Sequence, residues 1–336
     1  MNDDGFRTPL ARPARRLLAL AFCTLLPAAL PSPSIAQPWP ERPITAVVPL
    51  AAGNAIDVVG RIVLDQMSRQ LDRPIVVENR VGAGGTIGAA TVAKATPDGY
   101  TILVHSSSIA IAPSLYSKLP YDTTGDLAAV IPFGIQPSVL VTTPKKGFKT
   151  VADLVAAAKA KPGVLNYASA GSGSTSHLAA LRMLAGAGLQ MHHVPYRGPI
   201  DAITGLLAGE IDIYFLPLSA ALPHLKEGTL TALAVSTSRR VAALPDVPTT
   251  LEAGLPDSAY EFWIGLFVPS KTPPGVIERL YREAQTALRL PEIQEKLRTV
   301  GMEPMPLDRE QFGRRLRAEI DDVGKLVKAA GIPPVN

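Results

Sequence analysis

The chain has 336 residues, 47% of them hydrophobic and only 18% charged, with 32 prolines and a single cysteine. That balance excludes a disordered segment, a coiled coil, a collagen-like repeat and a disulfide scaffold, while the length suffices for two domains. A formal charge of +4 and 5% aromatic residues leave no basic, aromatic-studded surface for nucleic acid.

The first 36 residues read as a secretory signal peptide. Arg7, Arg12, Arg15 and Arg16 precede an uncharged run from Leu17 to Leu30, and Ser34-Ile35-Ala36 offers small residues for cleavage after Ala36. The run is shorter than the roughly 20 residues a membrane span needs. Cys23 falls inside it, so the mature chain has no thiol chemistry, no cysteine-ligated zinc and no disulfide, and its stability rests on core burial.

Behind the leader, strands alternate with helices. Ile44 to Pro49 is an apolar run suited to a strand buried on both faces, and Ala51 to Asn54 turns it into a helix carrying Val58, Val59, Ile62 and Val63. The pattern repeats with a strand at Ile75 to Val77, the loop Glu78 to Gly85, a helix through Ala89 to Lys94, and a strand at Thr101 to His105. A second set begins near Val139. Thr150 is the expected N-cap of a helix from Val151 to Ala160. A strand at Asn166 to Ala168, a glycine-rich loop at Ala170 to Ser174 and an Ala/Leu-rich helix to Ala187 follow. Then come strand Met191 to Val194, helix Ile200 to Leu207 and strands at Ile211 to Leu216 and Leu230 to Val235. The tail offers a strand at Trp263 to Val268, a helix from Pro273-Pro274 to about Leu290, and a long final helix capped by Asp308. This alternation predicts an α/β protein with parallel or mostly parallel sheets covered by helices. One strand cannot make a third sheet, so the tail is docked on the first block. The division expected is 37–138 with 262–336 as a discontinuous domain and 139–261 as a contiguous one, joined by two crossings that could hinge.

Chemistry-bearing motifs are few. Gly82 to Gly88 has the look of a dinucleotide fingerprint, but Ile87 stands where the third glycine belongs, and His105-Ser106-Ser107 stands where an acidic ribose ligand should be. A serine hydrolase built on Ser172 or Ser174 with His177 lacks the G-x-S-x-G elbow. His192 and His193, neighbours on a strand, point to opposite faces and cannot share a metal. No cofactor, metal or catalytic residue is expected. The two small-residue loops, Ala51 to Asn54 and Ala170 to Ser174, each end a strand and open a helix, where backbone N–H groups lack partners and the helix dipole favours an anion. One such loop in each domain describes a cleft for a small acid.

The ordered motifs resemble the solute receptors of tripartite tricarboxylate transporters, the Bug family of extracytoplasmic receptors. They are Trp39 to Ile44, Val48 to Gly53 with Asp57 and Arg61, Val77 to Arg80 with Gly82 to Gly85, Pro97 to Thr101, Leu119 to Asp122, Gly171 to Ser174 with His177, His193 to Gly198, Leu233 to Val235 and Leu244 to Thr249. The resemblance implies a two-domain periplasmic binding protein fold of the type II, Venus flytrap kind, with a ligand cleft between lobes. It implies a non-enzymatic, monomeric receptor that captures a small organic acid or amino acid and delivers it to integral membrane transporter subunits. A sensor partner of a signalling receptor is the alternative. Carried onto this chain, the ligand-binding set is Leu50, Ala51, Ala52, Gly53, Asn54, Asp57, Asn79, Ser106, Ser107, Ala170, Gly171, Ser172, Ser174, His177, Tyr196 and Arg197. The chain departs from the family at Leu50, usually Phe, at Asn54, usually Gly, and at Val81, usually Pro.

Overall fold

The computed structural model describes residues 39–172 and 174–331. The leader, and Gly173 of the second loop, lie outside them.

The polypeptide forms two five-stranded sheets. In the first, β1 (Ile44–Val48) pairs in parallel with β2 (Ile75–Asn79) and β3 (Thr101–Ser106), and β10 (Phe262–Pro269) runs antiparallel between β3 and β4 (Leu127–Gln136). The order is β2-β1-β3-β10-β4. The second sheet repeats this plan as β7-β6-β8-β5-β9, built from β5 (Ser138–Thr142), β6 (Asn166–Ser169), β7 (His192–Pro195), β8 (Ile213–Pro217) and β9 (Thr231–Val235). There β6 is parallel to β7 and β8, and β5 is antiparallel to β8 and β9. Each sheet thus has one reversed strand, and in each it is the strand that arrives from the other sheet. The expectation of mostly parallel sheets holds for strand direction and misses these two insertions. A strand buried on both faces reads as an unbroken apolar run whichever way it points.

Helices cover both faces of each sheet. On the first, α1 (Ala55–Leu71) turns Ile56, Val59, Val63, Leu64 and Met67 inward at helical spacing. Each such side chain contributes roughly 1.5–3 kcal/mol of burial. They meet α8 (Pro274–Arg289) and α9 (Pro291–Thr299) through Ile277, Leu280 and Ile293. The opposite face carries α2 (Thr86–Ala93) and α3 (Ser108–Leu115). Gly88 lets α2 lie on β1, since a Cβ there would stand 2.8 Å from Pro49 Cβ and 2.9 Å from Pro49 Cα. The glycines of the apparent nucleotide fingerprint therefore serve a tight strand-to-helix turn. Around the second sheet pack α4 (Val151–Ala160), α5 (Thr175–Ala187), α6 (Pro199–Ala208) and α7 (Leu218–Lys226). Capping boxes start α4 at Thr150 with Asp153 and α10 (Arg309–Ala329) at Asp308 with Gln311.

Helix α10 bridges the two cores. Phe312 meets the Trp263 ring edge-on at 5.0 Å in the first core, whereas Val323 and Val327 pack with Leu140, Tyr167 and Phe215 in the second. The tail therefore docks on both blocks.

Candidate functional site

The first small-residue loop follows β1 and is braced from behind. Asn79 Nδ2 donates to the Leu50 carbonyl at 2.9 Å and to Asp57 Oδ1 at 3.0 Å. The Gly53 amide donates to Asp57 Oδ2 at 2.9 Å, and Arg61 Nε reaches both Asp57 oxygens at 3.0 Å. Burial opposes the charge on Asp57, which is 3% exposed, but hydrogen bonds from Arg61, Gly53 and Asn79 outweigh it and hold the carboxyl below its ordinary range. Asp57 and Asn79 thus spend their polar atoms fixing the loop. Asn54 Oδ1 accepts from the amides of Ile56 at 2.8 Å and Asp57 at 3.3 Å, so the chain itself fills part of the α1 anion site. The exposed Ala51 and Ala52 have no described hydrogen bond to their amides. At the end of β3, Ser106 shares a hydrogen bond with Ser108, and the fully buried Ser107 donates its amide to the Trp263 carbonyl.

The second loop is closed by hydroxyls. Ser169 Oγ accepts from the Gly171 amide at 3.1 Å and pairs with His193 Nε2 at 2.7 Å, while Ser176 Oγ accepts from the Ala170 amide at 3.0 Å. Gly171 holds φ of +115°, open to glycine alone at low cost. Ser174 Oγ accepts from the His177 amide, which makes it the N-cap of α5. The His177 ring stacks on His193 at 4.0 Å, so two histidines that seem scattered in sequence are neighbours. Burial, reinforced by His193, pushes His177 down to about 4. Ser169, which pairs with His193, has no exposed surface. Ser172 is exposed at the loop tip. Tyr196 lies over Gly205 of α6, with its hydroxyl 3.5 Å from Glu210 Oε2, and Arg197 is exposed beside it.

A cavity of about 140 Å³ opens where the sheets meet. Gln136 and Phe262, partners across β4 and β10, form one wall. Ser138 and Pro217, partners across β5 and β8, form another with Tyr214 and Phe215. Ala170, Ser174, Thr175 and Ser176 bring the α5 N-terminus to it, and Pro199 brings that of α6, whose N-cap Gly198 supplies no side chain. Among the described residues, no charged side chain lines this cavity. Hydroxyls and two positive helix ends are what it offers a ligand, a setting for a carboxylate. Of the sequence candidates only Ala170 and Ser174 line it; the first loop does not reach it. A larger cavity of about 830 Å³ lies among α7, α8, α9 and residues 301–308, with chiefly apolar walls and none of the candidates. Convergent donors, not size, make the smaller one the candidate site.

Gln136, Ser138, Tyr214, Phe215, Pro217 and Phe262 were not foreseen as site residues. They sit where strands cross between sheets, and the one signal for them is polar or proline residues ending apolar runs. Residues 59–332 match the tripartite tricarboxylate transporter family receptor. The chain belongs to this family. Among solved receptors and their relatives, an R. palustris protein with adipate is 32% identical, with a TM-score of 0.74 over 88% of this chain and 100% of that one. MatC from Rhodopseudomonas palustris with bound malate is 32% identical, with a TM-score of 0.70 over 86% of this chain and 99% of that one. The periplasmic binding protein BugD is 30% identical, with a TM-score of 0.71 over 88% and 100% of the two chains. The fold of this family member is accordingly the two-lobed α/β fold of periplasmic solute-binding proteins.

Proposed function

We propose that this protein is an exported receptor that captures a small carboxylate between its lobes and presents it to a tripartite tricarboxylate-type membrane transporter. The observation that carries this reading is the cavity beside the α5 and α6 N-termini, rich in hydroxyls and without a charged side chain. Such a site compensates one anionic head through helix ends and hydrogen bonds. Adipate and malate in two relatives support a small organic acid as the ligand class. The lobes are 37–138 with 262–336, and 139–261, and the first loop, with Ala51 and Ala52 at its tip, meets the ligand when they close. Ser174 is engaged as the N-cap of α5, accepting from the His177 amide, which argues against its use as a hydrolase nucleophile.

The test is a melting-temperature screen of the purified mature protein against malate, adipate, citrate, amino acids and uncharged analogues of the same size. At a thousandfold excess over Kd a true ligand adds about 4 kcal/mol of stability. Acids should raise the melting point and their amides should not. A response to the amides alone, or to none of the acids, overturns the reading.

A further inference from the structure

We infer that the Tyr214 hydroxyl is a ligand-binding group that donates a hydrogen bond to an oxygen of the captured acid. It would thereby select acids carrying a second oxygen acceptor, hydroxy acids and diacids, over alkyl monoacids. This rests on the receptor reading above and names the ligand class of the same site.

Tyr214 stands on β8 with its backbone in register with Val141 of β5 and Ala168 of β6. Its side chain is 1% exposed, among Val139, Ala202 and Leu206, yet its hydroxyl has no hydrogen-bond partner. Buried polar atoms are nearly always paired, so a buried hydroxyl left open beside a cavity needs a reason. Ser176 is near enough to act on the phenol, but no hydrogen bond of normal geometry joins them, and its oxygen is engaged by the Ala170 amide and by Ser174. The same tyrosine lines the cavity at the α5 and α6 N-termini. Burial raises the phenol to about 12, against a hydrogen-bonding influence of Ser176, so at neutral pH the group is a donor. Away from the helix ends Gln136 and Ser138 are the other polar side chains of the lining, and Phe215, Phe262 and Pro217 make the rest apolar, so an acid held by its carboxylate at the helix ends meets few donors at depth. About 140 Å³ holds roughly four or five waters at liquid density, room for a small acid. A site that commits a buried donor to an acceptor rejects the analogue lacking it, because that donor is then left unpaired.

The test is Tyr214→Phe, which keeps the ring that fills the core and removes only the hydroxyl. Calorimetric titration uses malate, adipate and butyrate as probes on both proteins. Malate or adipate should bind the variant about tenfold to a hundredfold more weakly, as for a lost hydrogen bond to a charged group, and the preference over butyrate should shrink by the same factor. Without ligand the variant should melt no lower than the parent, since no internal hydrogen bond is broken. Adding malate to the parent should shift the near-ultraviolet tyrosine band, and this shift should vanish in the variant. Unchanged affinity, or an unliganded melting point that falls without loss of affinity, overturns the inference while leaving the receptor intact. A parent protein that binds none of the probes, and whose melting point no other acid of the screen raises, removes both readings together. If the variant does not fold, a parent that binds malate with no tyrosine band shift decides against Tyr214.

Discussion

Glu319 and the buried histidines pull stability in opposite directions as pH changes. Glu319 on α10 is 7% exposed, with one oxygen accepting from Trp263 Nε1 at 2.7 Å and the other without a partner. Burial lifts its pKa to about 7, against the Trp263 hydrogen bond and the attraction of Arg315 and Arg182 and with the repulsion of Glu261. Between the ordinary carboxyl value and 7 the folded protein holds a proton the unfolded chain has released, so this contribution is present below that window and lost as pH rises through it. The histidines have the reverse sign: burial brings His105 and His177 to about 4 and lowers His193. Their stabilisation is complete above 6.5 and lost as pH falls toward 4. Three groups against one predict net loss of stability in acid. Glu319→Gln keeps an acceptor for Trp263 and removes the opposing carboxylate, and Arg315 retains Glu261 at 3.0 Å. The variant should gain on the parent as pH rises from 4.5 to 8, reaching about 3 kcal/mol at 1.36 per pKa unit. Urea unfolding across that range reads the difference; a difference that stays flat would show that Glu319 keeps its charge when buried.

At the level of elements, legibility followed locality. Helices announced by Thr150, Asp308 and Pro274 begin within a residue of the expected place, because a cap and a periodic face are settled by neighbours in sequence. Helix α3 and helix α7, each with an internal proline, Pro113 and Pro223, gave no clear period and were missed. The two candidate anion loops were visible as small-residue turns. What fills their amides was not, since Asp57 and Asn79 meet around Gly53 only once β1 and β2 are paired. Asn54 is the clearest case. Its side chain takes the Ile56 and Asp57 amides, which a glycine at this position would leave open. Asn54→Gly should cost only a few tenths of a kcal/mol, as cap-to-glycine changes do. It should also tighten adipate or malate binding by exposing those amides to a carboxylate. Calorimetric titration decides, and weaker binding would mean that Asn54 is itself a ligand contact.

For the molecule as a whole, the sheet order leaves two crossings about which a hinge is expected. The chain crosses between sheets at Pro137, a single residue between β4 and β5, and again over 236–261 between β9 and β10. Both crossings were legible as places where one βα set ends and another begins. The reversed strands they feed were not. A third connection was invisible in sequence, because α10 reads as one amphipathic helix whichever core its two halves meet. The Arg239 guanidinium, donating to the Pro304 carbonyl at 3.2 Å, and the Ala242 amide, donating to Glu303 at 3.2 Å, add exposed ties on the same flank. These ties are polar and solvent-accessible, so they can exchange for water at small cost. The cores on either side are close-packed, so any hinge motion should carry each as a body. A ligand touching the loops of both lobes makes its full set of hydrogen bonds only in the closed form, and it shifts the population there by its difference in affinity for the two forms. Small-angle scattering with saturating malate or adipate should then show a smaller radius of gyration than without, alongside the melting shift. With α10 spanning both cores the change should be modest, a rotation about the crossings that leaves Phe312 on Trp263 and Val323 on Leu140. Profiles that superimpose despite a clear melting shift would mean the acid binds a preformed cleft, and that α10 clamps the lobes instead of letting them hinge.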